Sequence, residues 1–139
     1  MVEQRWALFL IEAHPDVQRA LSARLERDRE LHVAGRSTFL PSAESLQSAN
    51  PDVVLLGLSQ RYQHDLSWLE NTIRAITAIA PVIVLTPYVD DAERQRLLAA
   101  GAADYFLKTI DSEALIGVVK GVAAARVPVT GQPAPLVAG

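Results

Sequence analysis

With 139 residues, half of them hydrophobic and 21% charged, the chain has the size and make-up of one globular domain able to bury a core unaided. It contains no cysteine, which excludes disulfides, thiolate catalysis and cysteine-ligated metals. A formal net charge of −3 argues against direct contact with a nucleic-acid backbone, which needs clustered Lys and Arg.

The chain begins Met1-Val2-Glu3-Gln4-Arg5 and passes directly into apolar sequence, without the basic start, longer apolar stretch and cleavage site of a signal peptide. Trp6 to Ile11 is a continuous apolar run, the pattern of a strand covered on both faces. Pro15 opens a helix, where its missing N–H costs nothing, and Val17, Leu21 and Leu25 recur at every fourth position to give that helix one buried stripe. Leu31 to Gly35 is a short, more polar strand suited to a sheet edge, and Pro41 starts a weak helix ending near Ser48. Asn50-Pro51-Asp52 punctuates the chain before Val53 to Leu56, the clearest central strand.

Leu66, Leu69, Ile73 and Ile76 follow at spacings of three and four, which is a helical face. Val82 to Leu85 is another buried strand. The longest apolar stretch, Ala75 to Val89, is broken by Pro81 and Pro87 and is too short to span a bilayer, so no membrane contact and a cytoplasmic location are expected. Asp90 and Glu93 form a capping-box-like pair for a helix expected to end at Gly101. Ala103 to Leu107 is a fifth strand, and Asp111 can cap a last helix carrying Leu115, Val118, Val119 and Val122. From Val127 the pattern dissolves into Val-Pro-Val-Thr-Gly-Gln-Pro-Ala-Pro. Residues 1–126 are therefore expected to form the domain and 127–139 a Pro-rich linker or flexible tail. The chain has no internal repeat.

Strands alternating with helices imply a parallel sheet with helices on both faces, joined by right-handed crossovers. Sites in such sheets lie beyond the carboxyl ends of the strands. The residues there are Glu12-Ala13-His14, Gly57-Leu58-Ser59, Thr86 and Lys108-Thr109.

Four segments in this order are specific. Leu10-Ile11-Glu12-Ala13-His14-Pro15 resembles the first-strand motif of response-regulator receiver domains, in which two acidic residues precede His-Pro. Asp52-Val53-Val54-Leu55-Leu56-Gly57-Leu58 resembles their third strand, which normally ends in the phosphorylated aspartate. Val84-Leu85-Thr86 is similar to the hydroxyl motif, and Gly101 to Lys108 to the aromatic-and-lysine motif. The resemblance runs from about residue 5 to 125 and is strongest to the subgroup with helix-turn-helix output domains. It implies a flavodoxin-like (CheY-like), doubly wound, five-stranded parallel sheet in the order 2-1-3-4-5. It also implies a role in two-component signal transduction rather than an enzymatic one, with Thr86, Tyr105 and Lys108 as switch-like residues.

The departures from that pattern matter most. The phosphoacceptor position is Gly57, and the acidic pair has become Glu12 and Ala13. The usual turn after the third strand is replaced by Gln60-Arg61-Tyr62-Gln63-His64. Acyl-phosphate formation needs a carboxylate nucleophile and a Mg²⁺ held by hard oxygen ligands, so this atypical receiver is expected to hold neither phosphoryl group nor metal nor other cofactor. Lys108 is expected to reach Glu12 across the space that Gly57 leaves open, a metal-free lock; the alternative has both side chains in water. Thr86 and Tyr105 match the pair that couples phosphorylation to the outer face in the family, although both are also ordinary packing choices at such places. His14 before Pro15 reads as a helix-entry residue, His64 with Tyr62 and Asp65 as a solvated or partner-facing loop, and Ser59 as non-catalytic, because no metal-ligand or triad spacing accompanies them.

The expected function is phosphorylation-independent signalling by protein contact, with a partner or a second copy docking on the fourth helix, fifth strand and fifth helix. Such a module regulates transcription as part of, or partner to, a response regulator, and it makes no nucleic-acid contact itself. The alternative is a small-molecule sensor using the vacated phosphorylation pocket. A flavin carrier is rejected, because Glu12-Ala13-His14-Pro15-Asp16 is no hydroxyl-rich phosphate loop and no glycine-rich dinucleotide turn is present.

Overall fold

A computed structural model describes residues 5–59 and 65–126. The expected tail at 127–139 and the loop residues Tyr62 and His64 lie outside them. Five strands alternate with five helices: β1 (Trp6–Ile11), α1 (Pro15–Glu26), β2 (Leu31–Ser37), α2 (Ala43–Ala49), β3 (Val53–Gly57), α3 (Leu66–Thr77), β4 (Val82–Thr86), α4 (Asp91–Ala99), β5 (Asp104–Leu107) and α5 (Ser112–Arg126). The sheet is parallel throughout and ordered β2-β1-β3-β4-β5, as expected.

The apolar runs are continuous because alternate residues feed two separate cores. Leu8, Leu10, Val53, Leu55, Ile83 and Leu85 pack with α1 and α5 through Leu21, Leu25, Leu115 and Val119. Phe9, Ile11, Val54, Leu56, Val82 and Val84 pack on the opposite face with α2, α3 and α4 through Leu46, Leu69, Ile73, Ile76 and Leu97. Parallel strands need this two-sided cover, and it leaves only their ends available for chemistry.

Three local details depart from the sequence pattern. β2 passes through Gly35 to Ser37 instead of stopping at the glycine, with its register against β1 shifting between Leu8 and Phe9. A Cβ at Gly35 would stand 2.5 Å from the Phe9 ring, so the glycine allows a close crossing at an irregular edge rather than ending the strand. α2 starts beyond Pro41, because Ser42 is the N-cap and its side chain accepts a hydrogen bond from the Ser45 N–H. Val17, counted in the buried stripe of α1, is 39% exposed, whereas Gln18 beside it is buried and donates to the carbonyls of Glu12 (3.3 Å) and Ser37 (2.8 Å). Satisfying the carbonyl that follows β1 and the one that ends β2 is the reason a polar residue takes that place.

Candidate functional site

The crossovers bring the end of β3, the residues following β1 and β5, and the end of β4 to one edge of the sheet. Gly57 closes β3, Glu12 and Ala13 follow β1, Thr86 closes β4, and Lys108 follows β5. The Lys108 N–H donates to the Thr86 carbonyl at 2.9 Å, which fixes the lysine beside β4 and sends its side chain inward.

The Lys108 ammonium lies 2.8 Å from Glu12 Oε1, and the Glu12 side chain is only 2% exposed. Glu12 Oε2 accepts a hydrogen bond from the His14 N–H at 3.0 Å. Each carboxylate oxygen therefore has a donor, the condition on which a buried charge is tolerable. A Cβ at Gly57 would fall 2.2 Å from Glu12 Oε1 and 3.1 Å from its Cδ. The space expected to stand open at Gly57 is thus occupied by the Glu12 carboxylate itself. On the Glu12 side a Gly57 side chain would have no room, whereas a cleft lined by Ala13 and Gly57 lies on the other.

Ala13 is half-buried on the side of the α2–α3 face, in a cleft it shares with Ile11, Phe39, Gly57 and Trp68. His14 is the N-cap of α1 but makes no side-chain cap, and its imidazole side is exposed. Ser59 is half-buried after β3.

The other half of the edge is a hydroxyl network. Thr86, 2% exposed, donates through Oγ1 to the Tyr88 carbonyl at 2.9 Å and accepts from the Tyr88 N–H at 3.3 Å, closing the turn after β4. Asp90 caps α4 as its sequence implies, accepting from the Glu93 N–H at 2.9 Å. The return half of the capping box is missing, because the Tyr105 hydroxyl stands between its partners. That hydroxyl accepts from the Asp90 N–H at 3.3 Å and donates to the Glu93 carboxylate. Burial, reinforced by the Glu93 carboxylate, pushes the phenol of Tyr105 up to about 12. Glu93 and Tyr105 sit on different elements, twelve positions apart, so no local pattern could have paired them.

The remaining oxygens do not fit Mg²⁺. Ala13 and Gly57 supply no side-chain ligand, and the carboxylate of Glu12 is already committed to an ammonium and a backbone N–H. Among the described residues no three His, Asp or Glu side chains converge as a metal site. No helix among them is long and apolar enough to cross a membrane.

A doubly wound parallel sheet with a buried acidic residue and a lysine at one edge is the frame of a receiver. Residues 8–120 match the response regulator receiver domain, and the chain belongs to that family. It is 30% identical over 105 residues to the transcriptional regulatory protein LiaR of Bacillus subtilis (strain 168), covering 73% of this chain and 48% of that protein. To the transcriptional regulatory protein DegU of Brevibacillus brevis it is 26% identical over 122 residues, covering 87% of this chain and 51% of the relative. The chain therefore spans about half the length of these curated relatives. In fold it is similar to the signal receiver domain of the response regulator NarL from Mycobacterium tuberculosis, with a TM-score of 0.75 at 20% identity over 89% of this chain and all of that one. The protein is accordingly a receiver domain of two-component response regulators, homologous to transcriptional regulators.

Proposed function

We propose that this receiver signals without phosphorylation, through contact with a protein partner or a second copy of itself. The observation that carries the reading is the Glu12 carboxylate lying where a side chain at Gly57 would begin, paired with Lys108 at 2.8 Å. A phosphoacceptor needs an ionisable oxygen at that point and a metal to neutralise the incoming phosphoryl group. Here a direct ion pair takes the place of both. In this reading Gly57 is the degenerate acceptor position, Glu12 and Ala13 are the remnant of the acidic pocket, and Thr86, Tyr105 and Lys108 remain as switch-like residues.

The contact surface we assign is α4, β5 and α5. β5 is an edge strand, and Tyr88, Val89 and Leu107 near its end are 57%, 51% and 40% exposed. Exposed apolar residues beside an unpaired strand edge favour docking of another chain. The similarity to LiaR and DegU supports a role in regulating transcription, as part of or partner to a response regulator. A ligand seated at Gly57 is less well supported, because the Glu12 carboxylate takes that room.

The test is incubation with acetyl phosphate and Mg²⁺ followed by intact-mass measurement. The expected result is an unchanged mass. A stoichiometric, acid-labile phosphoryl adduct on the native protein sinks the proposal.

A further inference from the structure

Val17, Ala20, Leu21 and Arg24 are spaced to share one face of α1, which packs on the sheet through Leu21 and leaves an opening beside it. It borders a cavity of about 140 Å³ whose other walls are Leu85, Glu12 and Lys108. This explains why Val17 is 39% exposed although it continues the stripe of Leu21 and Leu25: it stands at the mouth, not in the core. Leu21 and Leu85, 6% and 2% exposed, form an apolar floor. The cavity lies beyond the Glu12–Lys108 pair and does not include Gly57.

Its charge is unbalanced. Lys108 is matched by Glu12. Arg24 is half-buried and held by two neutral oxygens, Ser112 Oγ at 2.7 Å and the Ile110 carbonyl at 2.6 Å. None of the ion pairs among the described residues includes Arg24. Two bonds leave further guanidinium N–H groups, and Arg is the side chain best shaped for a carboxylate. An oriented guanidinium without a carboxylate partner and an apolar floor are the composition of a ligand site.

We propose that this cavity binds a small organic anion with an apolar body, the size of an aromatic carboxylate. The anionic end faces Arg24, away from the Glu12–Lys108 pair, and the body lies on Leu21 and Leu85 between Val17 and Ala20. The volume suits this, since an apolar cavity of about 150 Å³ accommodates benzene. The proposal goes beyond the phosphorylation-independent reading and does not require it: a titration here and a mass measurement at Gly57 report on different atoms.

The test is titration of the full chain with benzoate, with benzamide as the uncharged counterpart, followed by backbone amide NMR and calorimetry. Saturable binding in the millimolar range is expected, with shifts gathered at Val17, Ala20, Leu21, Leu85 and Lys108, and about tenfold weaker binding of benzamide. Arg24→Gln should weaken benzoate about tenfold. Because Arg24 also ties α1 to the segment before α5, Ala20→Leu separates binding from folding: it fills the cavity from α1 and should abolish binding with melting unchanged. Equal affinity for benzamide, shifts scattered over the surface, absence of saturation, or benzoate binding that survives Ala20→Leu would each overturn the assignment.

Discussion

The two halves of the sheet edge hold their polar groups in different ways. At β1 and β3, Gly57 is overlain by one buried ion pair, Glu12 with Lys108. At β4 and β5 the threonine and tyrosine are present, and their hydroxyls are absorbed into the turn after β4 and the cap of α4. Both halves are ordered for the same reason, since each of these polar groups has a local partner. Lys108 joins the halves, its backbone bonded to Thr86 and its ammonium to Glu12.

The two halves should respond differently to substitution. Lys108→Met, which leaves Glu12 buried without its cation, should have the largest effect, about 3–5 kcal/mol lost in urea unfolding at pH 7. A loss below about 1 kcal/mol would mean that Glu12 simply turns to water and that no lock exists. Gly57→Ala should cost about 1–3 kcal/mol, because even a methyl group displaces the carboxylate from the pair. Full stability in that variant would show that the close approach is unimportant.

On the other half, Tyr105→Phe should cost about 1–3 kcal/mol by leaving the buried Glu93 carboxylate without its donor. The same variant has a pH signature. The phenol is raised from 10.0 to about 12 in the folded protein, so its stabilisation is complete below the unfolded value and is lost as pH rises through the folded one. Wild-type stability should therefore fall with rising pH across that window, and Tyr105→Phe should lack this component of the alkaline slope. An identical slope in both proteins would remove Tyr105 from the network. Glu12→Gln should be the mildest, under about 1 kcal/mol, since Lys108 is 17% exposed and its long stem can carry the ammonium to solvent.

Much of this was legible in one dimension. Four apolar runs and one more polar strand, alternating with helical spacing, implied a parallel sheet covered by helices on both faces, and the family resemblance supplied its doubly wound order. The residues at the strand ends then pointed to the candidate edge, with Gly57 where the resemblance expects a carboxylate. Three-dimensional packing decided what became of the space. A sequence records that a side chain is absent but not which neighbour moves into its place, because that depends on side-chain direction and on competing donors brought together from distant elements. So Glu12 over Gly57, Tyr105 inside the α4 cap, the register shift beside Gly35, and the opening beside Val17 and Arg24 emerge only when β1, β2, α1, β4 and β5 meet.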